Sequence, residues 1–304
     1  MPGAVESAEA DAAAAAAAAA AVRHRRPTAA ERRRMYRDLA LSLRCGLRDA
    51  AAGFSFLRLR GLRALLRALR SVADAGADAG PFRDSQSIRD LQGKVPTSSL
   101  IPVLFEHSLR KAAATGAGDA VLTVAQVLGM EPAAARLRNP ATDSEVVLAL
   151  RVLEGCCLLC PACAAAAHRY NAVKVVLNIL MTRGILEQRA CLDTLLALLV
   201  DCSENLTDFK EQDGLNSIAA IVKDANRDDH VRLKCSEFLL LYSGNAKENC
   251  VADSESNMQQ DLEKAFGEKC ASFICSMNLF SSTLDSQMRQ SELNFLAEHV
   301  LDYM

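Results

Sequence analysis

Residues 169–205 (RYNAVKVVLNILMTRGILEQRACLDTLLALLVDCSEN) and 211–245 (EQDGLNSIAAIVKDANRDDHVRLKCSEFLLLYSGN) can be laid over one another. That self-similarity limits the folds open to the chain more than any other feature. Ala172 falls on Gly214 and Ile179 on Ile221, an offset of 42. Past a one-residue slip, Arg189 falls on Arg232 and Leu195–Leu198 on Phe238–Leu241, an offset of 43. Each copy reads as a short helix, a middle helix, a polar turn, and a longer apolar helix ending in a small, polar, Asn-bearing corner. One such unit cannot bury its own apolar faces, so copies must stack. The third helix is apolar on two sides, as a helix held between neighbours must be. Val231, Cys235, Phe238, Leu239 and Tyr242 make one face, and Leu233, Leu240 and Leu241 another. The same third-helix pattern recurs upstream in EVVLALRVLEGCCLLC, residues 145–160.

A helical period near 42 is the signature of armadillo and HEAT arrays. The expected fold is therefore all-α, an armadillo/HEAT-like α-solenoid with a helical C-terminal cap. Composition agrees, since the apolar half of the sequence is mostly Ala and Leu with no Trp. The expected divisions are a disordered Ala/Arg-rich segment at 1–30, a basic helical segment at 31–80, a linker at 81–96 and armadillo-like repeats at 97–245. A polar insert and C-terminal helical cap follow at 246–304. Within these, helices are expected from Glu31, with Met35, Leu39, Leu43 and Leu47 on one stripe, and again beyond Gly53. Further helices are expected at about 97–113, 118–129, 144–160, 260–279 and 284–301, with a Pro-bounded loop at 130–145.

Charge divides the chain. Residues 23–70 hold 14 Arg against Glu31, Asp38 and Asp49, a net +11, while residues 71–304 hold 21 Lys and Arg against 31 Asp and Glu, a net −10. Such halves can dock on each other or attract different partners. Arg60, Arg63, Arg67 and Arg70 line one helix face, a basic patch that reads first as solvated surface and second as an anionic contact. The row has no aromatics to stack on bases, which speaks against nucleic acid. A coding-sequence bias towards Ala and Arg is the competing cause, because the first Lys is Lys94. No apolar run suits a membrane span, so any membrane contact is expected to be peripheral. Glu6, Glu9 and Asp11 ahead of the Ala run oppose both a secretory and a transit signal.

Eleven cysteines in such a chain point to reduced thiols in a cytosolic or nuclear compartment. Cys156, Cys157, Cys160 and Cys163, with His168, raise a metal site and a Cys-x-x-Cys redox pair as alternatives. All candidate ligands lie in one run that Pro161 interrupts, and no βαβ context accompanies CPAC. Core packing is the favoured reading, because Cys156, Cys160 and Cys163 follow apolar helix spacing. No phosphate-cradling Gly-rich loop or His-centred nucleophile motif is present, so no catalytic residue, metal, cofactor or small-molecule substrate is assigned. A protein-binding role is expected on the polar surface of the third helices, with Arg189, Asp193, Arg232, Lys234 and Glu237 as candidates.

Three ordered stretches, LEGCCLLCP, CLDTLLALLVDCSENLTDFKEQDGL and VRLKCSEFLLLY, resemble the septation-initiation-network component family of cell division control protein 14, which is unrelated to the phosphatase of similar name. The residues carrying the resemblance are Leu153-Glu154-Gly155, Leu192-Asp193, Leu199-Val200-Asp201, Asn205, Gly214-Leu215, Val231-Arg232, Lys234-Cys235 and Glu237-Phe238-Leu239. The resemblance covers about 150–245 and weakens back to about 97. It implies a non-enzymatic partner of a germinal-centre-type protein kinase in cytokinesis signalling, cytoplasmic and at microtubule-organising or division structures, with the nucleus as an alternative. A peripheral anchor on anionic membrane or cytoskeleton, using the basic helices, is the second reading.

Overall fold

A computed structural model describes residues 28–77, 97–109, 141–200, 202–249, 252–277 and 286–303. The expectations for residues 1–27, the 81–96 linker, a helix at 118–129 and most of the 130–145 loop lie outside the described residues. Among the described residues every regular element is helical. They are α1 (Ala29–Ala50), α2 (Ser55–Ala77), α3 (Thr97–Val103) running into a π-helical segment (Leu104–Leu109), α4 (Asp143–Leu159), α5 (Pro161–His168), α6 (Ala172–Thr182), α7 (Ile185–Leu199), α8 (Ser203–Glu211), α9 (Gly214–Lys223), α10 (Asp229–Asn249), α11 (Ala252–Phe266), α12 (Glu268–Ser276) and α13 (Ser286–Asp302). No helix among the described residues is long and apolar enough to cross a membrane.

The repeat in sequence is a repeat in space. α5 and α8 begin 42 residues apart, at Pro161 and Ser203, as do α6 and α9, at Ala172 and Gly214. Cys160 and Cys202 cap α5 and α8 in the same extended conformation. Asn171 (φ 51°) and Asp213 (φ 56°) occupy the left-handed region at the same joint, between first and second helix. Asn and Asp are the side chains that tolerate that region best, and the reversed turn lets the second helix fold back on the first. Gly267 (φ 87°, ψ 160°) makes a joint of a different, extended kind between α11 and α12. It splits the single helix expected at 260–279, because a residue at that φ cannot continue an α-helix.

The long helices stack in the order α2, α4, α7, α10, α13, each packing on the next. α7 shows why its sequence is apolar on two sides: Cys191, Leu192, Leu195, Leu198 and Leu199 are all buried between α4 and α10. Burying one such leucine contributes about 1.5–3 kcal/mol. Polar bonds between units keep the repeat spacing. Thr194 Oγ1 donates to the Leu150 carbonyl at 3.2 Å, and Asn205 Nδ2 donates to those of Ala164 (3.1 Å) and Leu198 (2.9 Å). Lys223 Nζ reaches the Ala265 carbonyl at 2.6 Å.

The basic N-terminal segment is a hairpin docked on this stack. Gly46 and Gly61 let α1 and α2 touch backbone to backbone: a Cβ on Gly61 would lie 2.3 Å from Ala50 N. Arg58, at 1% exposure, meets Glu145 of α4, at 0%, through Nε (2.5 Å) and Nη2 (3.1 Å). Ser55 Oγ (3.2 Å) and Ser108 Oγ (3.0 Å) donate to the same carboxylate. Arg58 Nη1 donates to the carbonyl of Gly53 at 2.6 Å. One carboxylate thus joins α2, the π-helical segment and α4. The expected polar insert after Asn245 differs: α10 runs to Asn249 and α11 starts at Ala252, because Ala, Lys, Glu and Gln there are good helix formers.

Candidate protein-interaction surface

A partly buried polar ladder crosses three successive long helices. On α4, Arg151 Nη1 bonds Glu154 Oε2 at 2.8 Å and reaches across to Asp193 Oδ2 of α7 at 2.7 Å. Asp193 Oδ1 lies 3.0 Å from Lys234 Nζ of α10, which also bonds Glu237 Oε2 at 2.7 Å. With its amide turned to donate, Asn294 of α13 adds a bond to Glu237 Oε1 at 3.0 Å. Burial works against the charge on Lys234, yet its hydrogen bonds and attraction to Glu237 and Asp193 outweigh it and hold the pKa above the usual lysine value. Arg151 is raised in the same way against burial by Glu154 and Asp193.

Of the residues expected to face a partner, Asp193, Lys234 and Glu237 come together in this ladder. Arg189 sits one turn before Asp193, exposed and paired with no carboxylate among the described residues. Arg232 turns away: its Nε donates to the Val222 carbonyl at 2.9 Å and its Nη1 meets Asp229 at 3.1 Å, closing the corner between α9 and α10. Arg151 and Glu154 were missed as site residues, although the repeat offset points to Arg151, 42 positions before Asp193.

The basic row divides as well. Arg60 pairs with Asp49 at 2.9 Å, and its hydrogen bond to that carboxylate holds Asp49 below the usual aspartate range. Arg63, Arg67 and Arg70 stay exposed without carboxylate partners among the described residues. The cysteine run packs: Cys156, Cys157 and Cys163 are buried and Cys160 partly so. Cys156 and Cys160 hydrogen-bond the Cys163 sulfur, and the bond from Cys156 is the main reason its pKa is lowered; burial pushes Cys157 up. Among the described residues no group of three or more His, Cys, Asp or Glu is arranged to hold a metal ion.

The residues that carry the resemblance in sequence have physical work here. Glu154, Asp193, Lys234 and Glu237 meet in the ladder. Asn205 joins two units, Gly155 lies where a Cβ would press on Leu69, and Gly214 leaves room for the buried Phe209 ring. No curated protein matches the chain, and no solved structure does. The family model described as "Cell division control protein 14, SIN component" matches residues 124–292, more than half of the chain and the ladder from Arg151 to Glu237. The chain belongs to that family of SIN components.

Proposed function

We propose that this protein is a non-catalytic, armadillo-like scaffold of division signalling, an α-solenoid that binds a germinal-centre-type protein kinase or a related partner across its stacked long helices. The observation that carries the reading is the ladder from Arg151 to Glu237. It gives one face a fixed, partly buried pattern of charge spanning α4, α7 and α10, with Arg151 its most exposed member at 37%. A surface set by pairs that hold one another is preorganised, which lowers the ordering cost of binding. Matching left-handed joints at Asn171 and Asp213, 42 residues apart, support the solenoid reading, since each leads into a second helix in the same way. The location proposed is the cytoplasm, at microtubule-organising or division structures.

A second reading rests on Arg63, Arg67 and Arg70, an exposed cationic row suited to peripheral docking on an anionic membrane or cytoskeletal surface. Affinity capture of the full chain from dividing cells, beside an Arg63→Glu/Arg67→Glu/Arg70→Glu variant, separates the two. The scaffold reading expects kinase recovery from both. Recovery of no kinase from either, together with loss of localisation in the variant, favours the anchor and overturns the scaffold.

A further inference from the structure

Among the described residues the outermost helices of the stack are α1 at one end and α13 at the other, and they expose faces that match each other in charge and apolar content. On α1, Leu43, Gly46 and Ala50 are buried against the hairpin partner. At about 100° per residue the outer side carries Leu41, exposed at 54% at the lip of a groove that Arg67 and Ala68 of α2 also line, among Arg37, Arg44 and Arg48. Arg48 leans on Asp49 at 3.4 Å, whereas Arg37 and Arg44 have no carboxylate partner among the described residues.

α13 is built the same way with the opposite sign. Leu293, Ala297 and Val300 are buried against the stack, and Phe295, exposed at 59%, stands on the far side with Met288 two turns before it. The ring of Phe295 is held edge-on to His299 at 4.5 Å, and His299 leans on Asp302 at 3.3 Å. Glu292 and Glu298 flank Phe295, exposed, and neither has a cation partner among the described residues. Terminal units of stacked repeats ordinarily present a polar outer face, so large apolar side chains exposed at both ends stand out.

We propose that copies of this chain associate head to tail. The outer face of α1 in one copy seats on the outer face of α13 in the next, with Leu41 against Phe295 and Met288 and with Arg37 and Arg44 opposite Glu292 and Glu298. A second copy is the occupant that charge complementarity selects, since arginines outnumber Asp38 on the outer side of α1, and Glu292, Glu298 and Asp302 outnumber Arg289 on α13. The contact joins two different surfaces, so it propagates into a chain or ring and does not close as a two-fold dimer. Its rim of exposed ion pairs is screened by salt.

The test is sedimentation equilibrium of the full chain with two variants, Leu41→Glu and Phe295→Lys, each altering an exposed side chain and each checked for unchanged helicity. Wild type should gain average mass with concentration at low salt and lose that gain at high salt. Each variant alone should stay monomeric. Mixed in equal amounts they should form a discrete heterodimer, because each keeps one competent end. Wild type monomeric at all concentrations, variants that still self-associate, or a mixture that stays monomeric would each overturn the proposal. So would wild type that binds phosphatidylserine vesicles through α1 but shows no self-association.

Discussion

Replacing Glu145 by Leu should detach the N-terminal hairpin from the stack. The carboxylate accepts from Arg58 twice and from Ser55 and Ser108, all at a site where Arg58 is 1% and Glu145 0% exposed. Without it the guanidinium keeps only the carbonyls of Ala52 and Gly53 and is left as a buried, uncompensated charge. Removing one partner of such a pair costs about 3–5 kcal/mol, a large part of the roughly 5–15 kcal/mol that holds a domain together. Replacing both partners by apolar groups of similar size, Arg58→Met with Glu145→Leu, removes the charge along with its partner and should restore most of the loss. Urea unfolding followed by circular dichroism gives the cycle, and limited proteolysis of α1 and α2 reports release of the hairpin. A Glu145→Leu cost under about 1 kcal/mol, or a double variant as unstable as the two losses added, would refute the reasoning.

Other outcomes follow from the same geometry. Lys234 has a raised pKa, so its own contribution to stability is complete below the unfolded-state value of 10.5 and is lost as pH climbs through the higher folded value. The Tm of wild type should therefore fall more steeply above that pH than the Tm of Lys234→Met. Gly61→Ala should cost about 1–3 kcal/mol by forcing α1 and α2 apart, since the new Cβ would meet backbone at 2.3–2.8 Å; thermal melts that match wild type would contradict this. Among the described cysteines, an aromatic disulfide reagent should modify exposed Cys45 first and partly buried Cys160 and Cys275 next. Cys156, Cys157, Cys191 and Cys235 should react only on unfolding, with burial holding the Cys235 thiol up at about 12.

The stacking of long helices was legible because period and apolarity act together: a unit that cannot bury its own faces repeats at a fixed offset. Pro161 was equally legible, ending α4 at Leu159 and opening α5. Arg58 was not singled out. It lies on the stripe of Leu62, Leu65 and Leu69, which marks it as inward-facing, but nothing local shows the Glu145 carboxylate, 87 positions on, that lets a charge be buried there. The ladder was half legible. Asp193, Lys234 and Glu237 were found as polar positions on third helices, whereas pairing across helices depends on axial stagger that sequence spacing fixes only to within a residue or two. Arg232 shows that limit, one slip away from the ladder and spent on the α9–α10 corner. Gly267 was not read as a joint because its unit departs from the offset of the first two.

The central claim is that the ladder face of this SIN-component family member binds a signalling kinase. It is tested most directly by titrating the full chain with the kinase captured from dividing cells, comparing wild type with Arg189→Glu and with Asp193→Asn/Lys234→Met. Arg189 is exposed and has no carboxylate partner among the described residues, so its reversal should leave the fold within about 0.5 kcal/mol of wild type. Binding should weaken about tenfold or more, about 1.4 kcal/mol, in each variant. Equal affinity in wild type and both variants, with all folded, would contradict the account.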